Sequence, residues 1–291
     1  MAEIPFPEKR AVRRSFERAA RTYDRNSVLQ CEVGLRLLKH LDPMTLTPKR
    51  VVDIGCGTGM FFPKLEKRFP GADLVGVDLA HPMLSLARKR TPWLKRAFKL
   101  KHPRLVCADG ERLPLASGSA QVVFSNLALQ WMRPEVVFAE AARTLDVGGL
   151  LIFSTFGPDT LKELRESFAK VDGHQHVNKF IDMHDLGDEL VHAGFADPVM
   201  EMEIITLEYA SVEKVARDLK AIGAHNSLPG RPRGLSGRGR WQEVIAHYDS
   251  LRRNGVLPAT YEVVYGHAWK VAPKRIADGR QVIDFPTRRA P

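Results

Sequence analysis

Three glycines at alternate positions, Gly55, Gly57 and Gly59 in VVDIGCGTG (51–59), follow a short apolar run and precede a helical pattern. Glycines at such a turn let the backbone approach a ligand and take conformations that a side chain forbids. This is nucleotide-binding geometry at the carboxyl end of a strand. A dinucleotide fingerprint needs its next glycine at position 60, which is Met60, and this argues against NAD or FAD. Three carboxylates end three successive predicted strands: Asp53, Asp78 in VGVDLA and Asp109 in CADGERLP. Asp78 is placed to accept hydrogen bonds from both hydroxyls of a ribose. Asp109 can meet the exocyclic amine of adenine, and Asp53 can accept from an ammonium group or its bridging waters. Any one of them could be a turn former or a helix cap. Three beside one glycine turn point to a ligand with an adenosine and a cationic amino-acid part, and no pyrophosphate.

The elements that must position these groups alternate. Apolar runs at 50–55, 72–79, 104–110, 120–129 and 150–156 read as strands, and 60–69, 81–90 and 134–145 as helices, with a Gly-Gly turn before the fifth strand. Short loops between them predict a parallel sheet with helices on both faces. Ahead of the first strand, Val12, Phe16, Ala19, Ala20 and Tyr23 form the stripe of an amphipathic helix, and 28–41 reads as a second helix. Beyond 156, helices are predicted over 158–171, 183–195, 211–224 and 241–253, and strands over 200–209 and 260–269. The segment 227–240 carries four glycines and four arginines, and the last twenty or so residues are polar and expected to be loosely held.

Composition narrows the class. No apolar run approaches the ~18 residues of a membrane span, and MAEIPFPEKR has charges where a secretion signal needs an apolar core. Cys31, Cys56 and Cys107 are far apart and form no metal-ligand pattern, so a reduced, cytoplasmic protein is expected. His174, His176 and Asn178 lack a carboxylate or cysteine at ligand spacing and read as a hydrogen-bonding loop; no metal is expected. The formal net charge of +10, from 44 Lys and Arg against 34 Asp and Glu, favours an anionic partner.

From about 50 to 156 the glycine turn and its three aspartates resemble the class I S-adenosylmethionine-dependent methyltransferases. A narrower likeness runs from about 10 to 270. FERAARTYDRNSVLQ, SNLALQW, FGPDTLKELRESFAKVD, HVNKF, LKAIGA and TYEVVYGHAW are similar to the malonyl-acyl-carrier-protein O-methyltransferases of biotin synthesis. The resemblance implies a Rossmann-like α/β fold with a mostly parallel seven-stranded sheet, N-terminal helices and a helical cap. The chain then divides into a lid (1–45), a cofactor-binding core (46–210 with 258–270), a basic cap (211–257) and a tail (271–291). It implies S-adenosyl-L-methionine as cofactor, S-adenosyl-L-homocysteine as product, and a malonyl thioester on an acidic acyl carrier protein as acceptor, with no nucleic acid or membrane partner.

The acceptor carboxylate is ionised at neutral pH, since carboxyl pKa values lie near ~4, so no general base is expected. Tyr23 would position the reactants. Gln30, Asp53, Gly55, Gly57, Asp78, Leu79, Asp109, Gly110 and Asn126 would hold the cofactor, and Trp131, Lys220, Arg231 and Arg233 the substrate. Alternatives are a quinone-type small-molecule methyltransferase and a non-catalytic assembly factor that retains the cofactor site.

Overall fold

The computed structural model describes residues 6–91, 101–224 and 238–272. Seven strands, β1 (Arg50–Ile54), β2 (Asp73–Asp78), β3 (Arg104–Cys107), β4 (Ala120–Asn126), β5 (Leu145–Phe156), β6 (Phe195–Tyr209) and β7 (Leu257–Lys270), form one sheet in the order β3-β2-β1-β4-β5-β7-β6. The first five are parallel, and β7 runs antiparallel to both β5 and β6. Among the described residues the helices are α1 (Lys9–Asn26), α2 (Val28–Lys39), α3 (Phe62–Arg68), α4 (His81–Arg90), α5 (Pro134–Thr144), α6 (Lys162–Ala169), α7 (Met183–His192), α8 (Val212–Ala221) and α9 (Arg238–Asp249). None is long and apolar enough to cross a membrane.

Strand alternation sends neighbouring residues to opposite faces, and each face is buried by helices. Val51, Phe124 and Ile152 meet Val33 and Leu37 of α2 and Leu65 of α3 on one side. Val52, Val123 and Leu151 meet Phe138 of α5 and Leu190 of α7 on the other. Burial on both faces explains why these strands read as continuous apolar runs. After β3 the chain returns to the other side of β1, so the strand order reverses between β1 and β4. The crevice at their carboxyl ends is where open α/β sheets bind ligands.

Several boundaries differ from the sequence reading. β5 begins at Leu145 rather than 150: Leu145 pairs with Ala120, Leu150 with Val122, and 146–149 bulge outward with Gly148 at φ +81°. The Gly-Gly pair is therefore a bulge within the strand. β3 stops at Cys107, which leaves Asp109 in the following loop. β4 stops at Asn126 because Leu127 turns to φ +47°, and a short 3-10 turn covers Leu129–Trp131. β6 and β7 are longer than predicted and pair from Phe195↔Lys270 to Tyr209↔Leu257. The segment carrying α8 and α9 is thus the connection of an antiparallel pair. α2, expected in the lid, belongs to the core: Val33, Leu37 and Leu41 are fully buried. Residues 273–291, expected as a loose tail, lie outside the described residues.

α2 owes its seat to a missing side chain. A Cβ on Gly34 would overlap the ring of buried Phe61. Helix propensity alone makes Gly→Ala stabilising by about 1 kcal/mol, whereas overpacking costs about 1–3 kcal/mol. Gly34→Ala is therefore expected to lower the midpoint of chemical or thermal unfolding; a raised midpoint would show that Phe61 yields without cost.

Candidate active site

The crevice holds a chamber of about 640 Å³ whose floor is the glycine turn. Gly55 (φ +73°) and Gly57 (φ +54°) take left-handed conformations. A Cβ on Gly55 would overlap that of Ala128, whereas one on Gly57 would meet nothing within 4 Å, so the backbone at Gly57 faces open space. Asp78 fixes the turn: its Oδ2 accepts from Gly57 N–H (2.9 Å) and its Oδ1 from Ala80 N–H (2.8 Å). Gly110 also lines the chamber, and a Cβ there would lie 2.6 Å from Met132 Sδ. Leu79, Asp109 and Asn126 complete the predicted set on this wall.

Two carboxyls, buried Asp53 and partly buried Asp78, dominate the electrostatics. Burial pushes Asp78 up to about 6, against backbone N–H groups that favour its ionised form. Burial, and then the charge of Asp78, push Asp53 up to about 8. Asp53 lies on the α2 side of β1, is 4% exposed and lines neither this chamber nor the next. Its place is behind the glycine turn.

Helix α1 closes the chamber. Lys9, Val12, Phe16 and Tyr23 line it, and both ends of the helix are pinned. At the start, Lys9 Nζ bridges Asp109 Oδ1 and Glu111 Oε1, each at 2.9 Å. Near the end, Asp24 accepts from Thr58 Oγ1 (2.6 Å), inside the glycine turn, and from Arg90 (2.5 Å) of α4. Thr22 Oγ1 donates to Ala221 O (2.8 Å), so α1 is also tied to α8. Burial, then the charges of Asp78 and Asp24, push the Tyr23 phenol well above its usual range. It remains a neutral hydrogen-bond donor. Trp131 meets Phe16 edge-on at 5.4 Å between centroids.

A second chamber of about 720 Å³ shares Phe16, Tyr23, Leu127 and Trp131 with the first. Its polar lining includes Gln30, Gln130, Thr160, His176 and Asn178, among mostly apolar walls. No arginine or lysine lines it among the described residues. The partition is braced from behind: Ser154 Oγ donates to Asn126 Oδ1 (2.9 Å) and accepts from Leu127 N–H (3.0 Å), which steadies the unfavourable φ of Leu127. Asn126 Nδ2 donates to Gln30 O (3.0 Å).

Some predicted residues fall elsewhere. Gln30, expected at the cofactor, lines the second chamber and not the first. Lys220, expected at the substrate, is exposed and lines neither: Val212, Val215, Leu219 and Ile222 form the inward stripe of α8 and its C-terminal extension, which turns Lys220 outward. Arg231 and Arg233 lie outside the described residues. His176 is held by Asp172 (2.9 Å) and stacked on Phe168 at 3.8 Å. Sequence reasoning missed Lys9, Asp24, Thr58, Gln130 and Thr160, and read Asn178 only as part of a hydrogen-bonding loop. The available signals were Asp24 directly after Tyr23 and Thr58 within the glycine run.

The clasp at Asp24 is exposed and so worth little to global stability, about 0–1 kcal/mol. Its consequence is local. If removing it cuts the closed population to about a tenth, the apparent Kd for cofactor rises about tenfold. Asp24→Ala is expected to show that rise by titration calorimetry with a nearly unchanged Tm; unaltered affinity would mean that α1 closes without the clasp.

Comparison with known proteins gives the family and the fold. A methyltransferase-domain family matches residues 52–153. The malonyl-[acyl-carrier protein] O-methyltransferase of Laribacter hongkongensis is 56% identical, with 98% of each chain covered. That of Gallionella capsiferriformans is 50% identical, over 95% of this chain and 96% of the relative. The solved YcgJ protein of Bacillus subtilis, at 14% identity and TM-score 0.57, covers 82% of this chain and 98% of its own, and shares the fold. With a sheet, a cofactor-type crevice and full-length likeness at this level, the chain belongs to the malonyl-[acyl-carrier protein] O-methyltransferase family.

Proposed function

We propose that the chain transfers a methyl group from S-adenosyl-L-methionine to the free carboxylate of a malonyl thioester carried on acyl carrier protein. The observation that carries this reading is the pair of chambers meeting at Tyr23, Leu127 and Trp131. The names of the full-length relatives support the acceptor. The methyl ester would start the pimeloyl chain of biotin, in the cytoplasm where the carrier is charged.

The first chamber and the carboxyl behind its floor suit that cofactor. Gly57 presents open backbone, and neither buried Asp53 nor partly buried Asp78 has a basic side chain among the causes of its shift. A buried carboxylate needs a partner, and a ligand with hydroxyls and a cationic end supplies one. Asp78 would accept from the ribose hydroxyls, Asp109 from the adenine amine, and Asp53 would face the ammonium end from behind the turn. When bound, the cofactor supplies an activated methyl on a positively charged sulfur.

The chain's own work is alignment. The acceptor carboxylate is already ionised and needs no base. Tyr23, neutral at any physiological pH, cannot serve as one; its hydroxyl can hold and orient the carboxylate at the junction. Phe16 and Trp131 close the junction to water. Orientation of this kind supplies up to about 7–11 kcal/mol of a barrier. A basic chain also favours encounter with an acidic carrier.

Two outcomes are expected. Labelled S-adenosyl-L-methionine with malonyl-carrier should give the methyl ester, and Tyr23→Phe should lower kcat roughly 10–100-fold, the loss of a hydrogen bond to a charged group at about 1.5–3 kcal/mol. An unaltered kcat would leave Tyr23 a packing residue. Asp53, raised to about 8, is mostly protonated at pH 7 in the free protein. Its raised value adds stability that is full below the unfolded carboxyl range and is lost as pH rises through about 8. A bound cation favours the ionised form, so cofactor binding should release up to about one proton at pH 7 and almost none at pH 9. Calorimetry in buffers of different ionisation enthalpy reads this directly, and Asp53→Asn should abolish the release.

A further inference from the structure

The outer face of α1 carries a row of arginines, Arg10, Arg14, Arg18, Arg21 and Arg25, at spacings of four, four, three and four. All five are exposed. The ion pairs that α1 makes among the described residues run through Lys9, Arg13 and Asp24 instead. Like charges four apart on a helix oppose its formation, at about 0.2–0.5 kcal/mol per pair. The row is thus a standing cost to the isolated helix, which an anionic partner lying along it would remove.

The row ends at an opening. Arg25 lines a third cavity of about 770 Å³, between the start of α2, β6 and α8, with Lys214 also on its lining. Lys214 is exposed and, like Arg25, belongs to no ion pair among the described residues. Glu208 and Asp218 share the lining, and Asp218 acts on Tyr209 and Tyr261. Val28, 69% exposed, gives the rim an apolar contact. This cavity shares Gln30, Leu219, Ile222 and Tyr261 with the second chamber, so the two adjoin at those residues. Gln30 is 8% exposed and its Oε1 has no hydrogen-bond partner. A buried acceptor left unpaired costs about 1–3 kcal/mol, and so marks a place for a donor.

We propose that an acidic helix of the carrier docks along the arginine row, and that its phosphopantetheine arm passes through the third cavity to the second chamber. This rests on the transfer reading above. The arm's chemistry matches the passage in order: a phosphodiester at the outer end for Arg25 and Lys214, amide N–H groups along its length for Gln30 Oε1, and the malonyl thioester at the inner end beside Tyr23. The charge complementarity commits the surface to an acidic protein rather than to a second copy of this basic chain.

The test uses the full chain with three acceptors: malonyl-carrier, malonyl-coenzyme A, and malonyl-N-acetylcysteamine, which has neither carrier nor phosphate. Arg14→Glu, Arg18→Glu and Arg21→Glu together should lower kcat/KM for malonyl-carrier relative to the short thioester by roughly tenfold or more, chiefly through KM. That loss should shrink between about 0.05 and 0.5 M salt as the charges are screened. Arg25→Glu with Lys214→Glu should depress malonyl-coenzyme A as well, and Arg25→Lys with Lys214→Arg should restore it. An unchanged ratio in both charge-reversed variants overturns the docking surface and its passage. Loss of binding to RNA or anionic vesicles without a change in that ratio assigns the row to those partners and also overturns it. Failure of the unaltered chain to methylate any of the three acceptors would instead refute the transfer reading.

Discussion

Two carboxyls drawn out of water at the ends of β1 and β2 are the constraint around which this molecule is arranged. Asp53 is buried and Asp78 partly buried, and neither has a lysine or arginine among the groups that shift it. Backbone N–H groups at Gly57 and Ala80 relieve Asp78 in part. That relief requires the tight turn, the turn requires glycine at Gly55 because Ala128 crowds it, and the crowding follows from β4 lying beside β1. The strand order, the glycines and the carboxyls are one connected requirement.

Closure is achieved by polar ties rather than by a large apolar interface. α1 buries Val12, Ala19 and Ala20, but it is located by Lys9 at one end and Asp24 at the other. Such ties are individually weak where they are exposed to water. Tyr23 sits between them, on the wall that both chambers share. The helix therefore contributes to the walls of both chambers at once.

Much of the core was legible because its physics is local. Continuous apolar runs marked β1, β2 and β4, and the glycines marked the turn. What escaped was side-chain direction in space. Asp109 was read as the end of a strand, yet β3 stops two residues earlier. Gln30 was placed at the cofactor, yet the seating of α2, set by Gly34 against Phe61, aims it at the second chamber. Lys220 drew attention by its charge, although the spacing of Val212, Val215, Leu219 and Ile222 already turned it outward. Asp24 was marked only by its place after Tyr23; its role exists only once Thr58 and Arg90 arrive from distant segments.

The connection between β6 and β7 has a consequence for how such a protein can diverge. Those strands are paired along their whole length, from Phe195 to Tyr209, so their ends are held together whatever joins them. Lengthening a joined loop adds closure entropy only logarithmically, about 0.6 kcal/mol per doubling. α8 and α9 occupy that joint, and Leu219 and Ile222, in and just beyond α8, face the second chamber but not the first. Sequence drift or recombination at this hairpin can therefore reshape the walls of the second chamber while the lining of the first stays as it was.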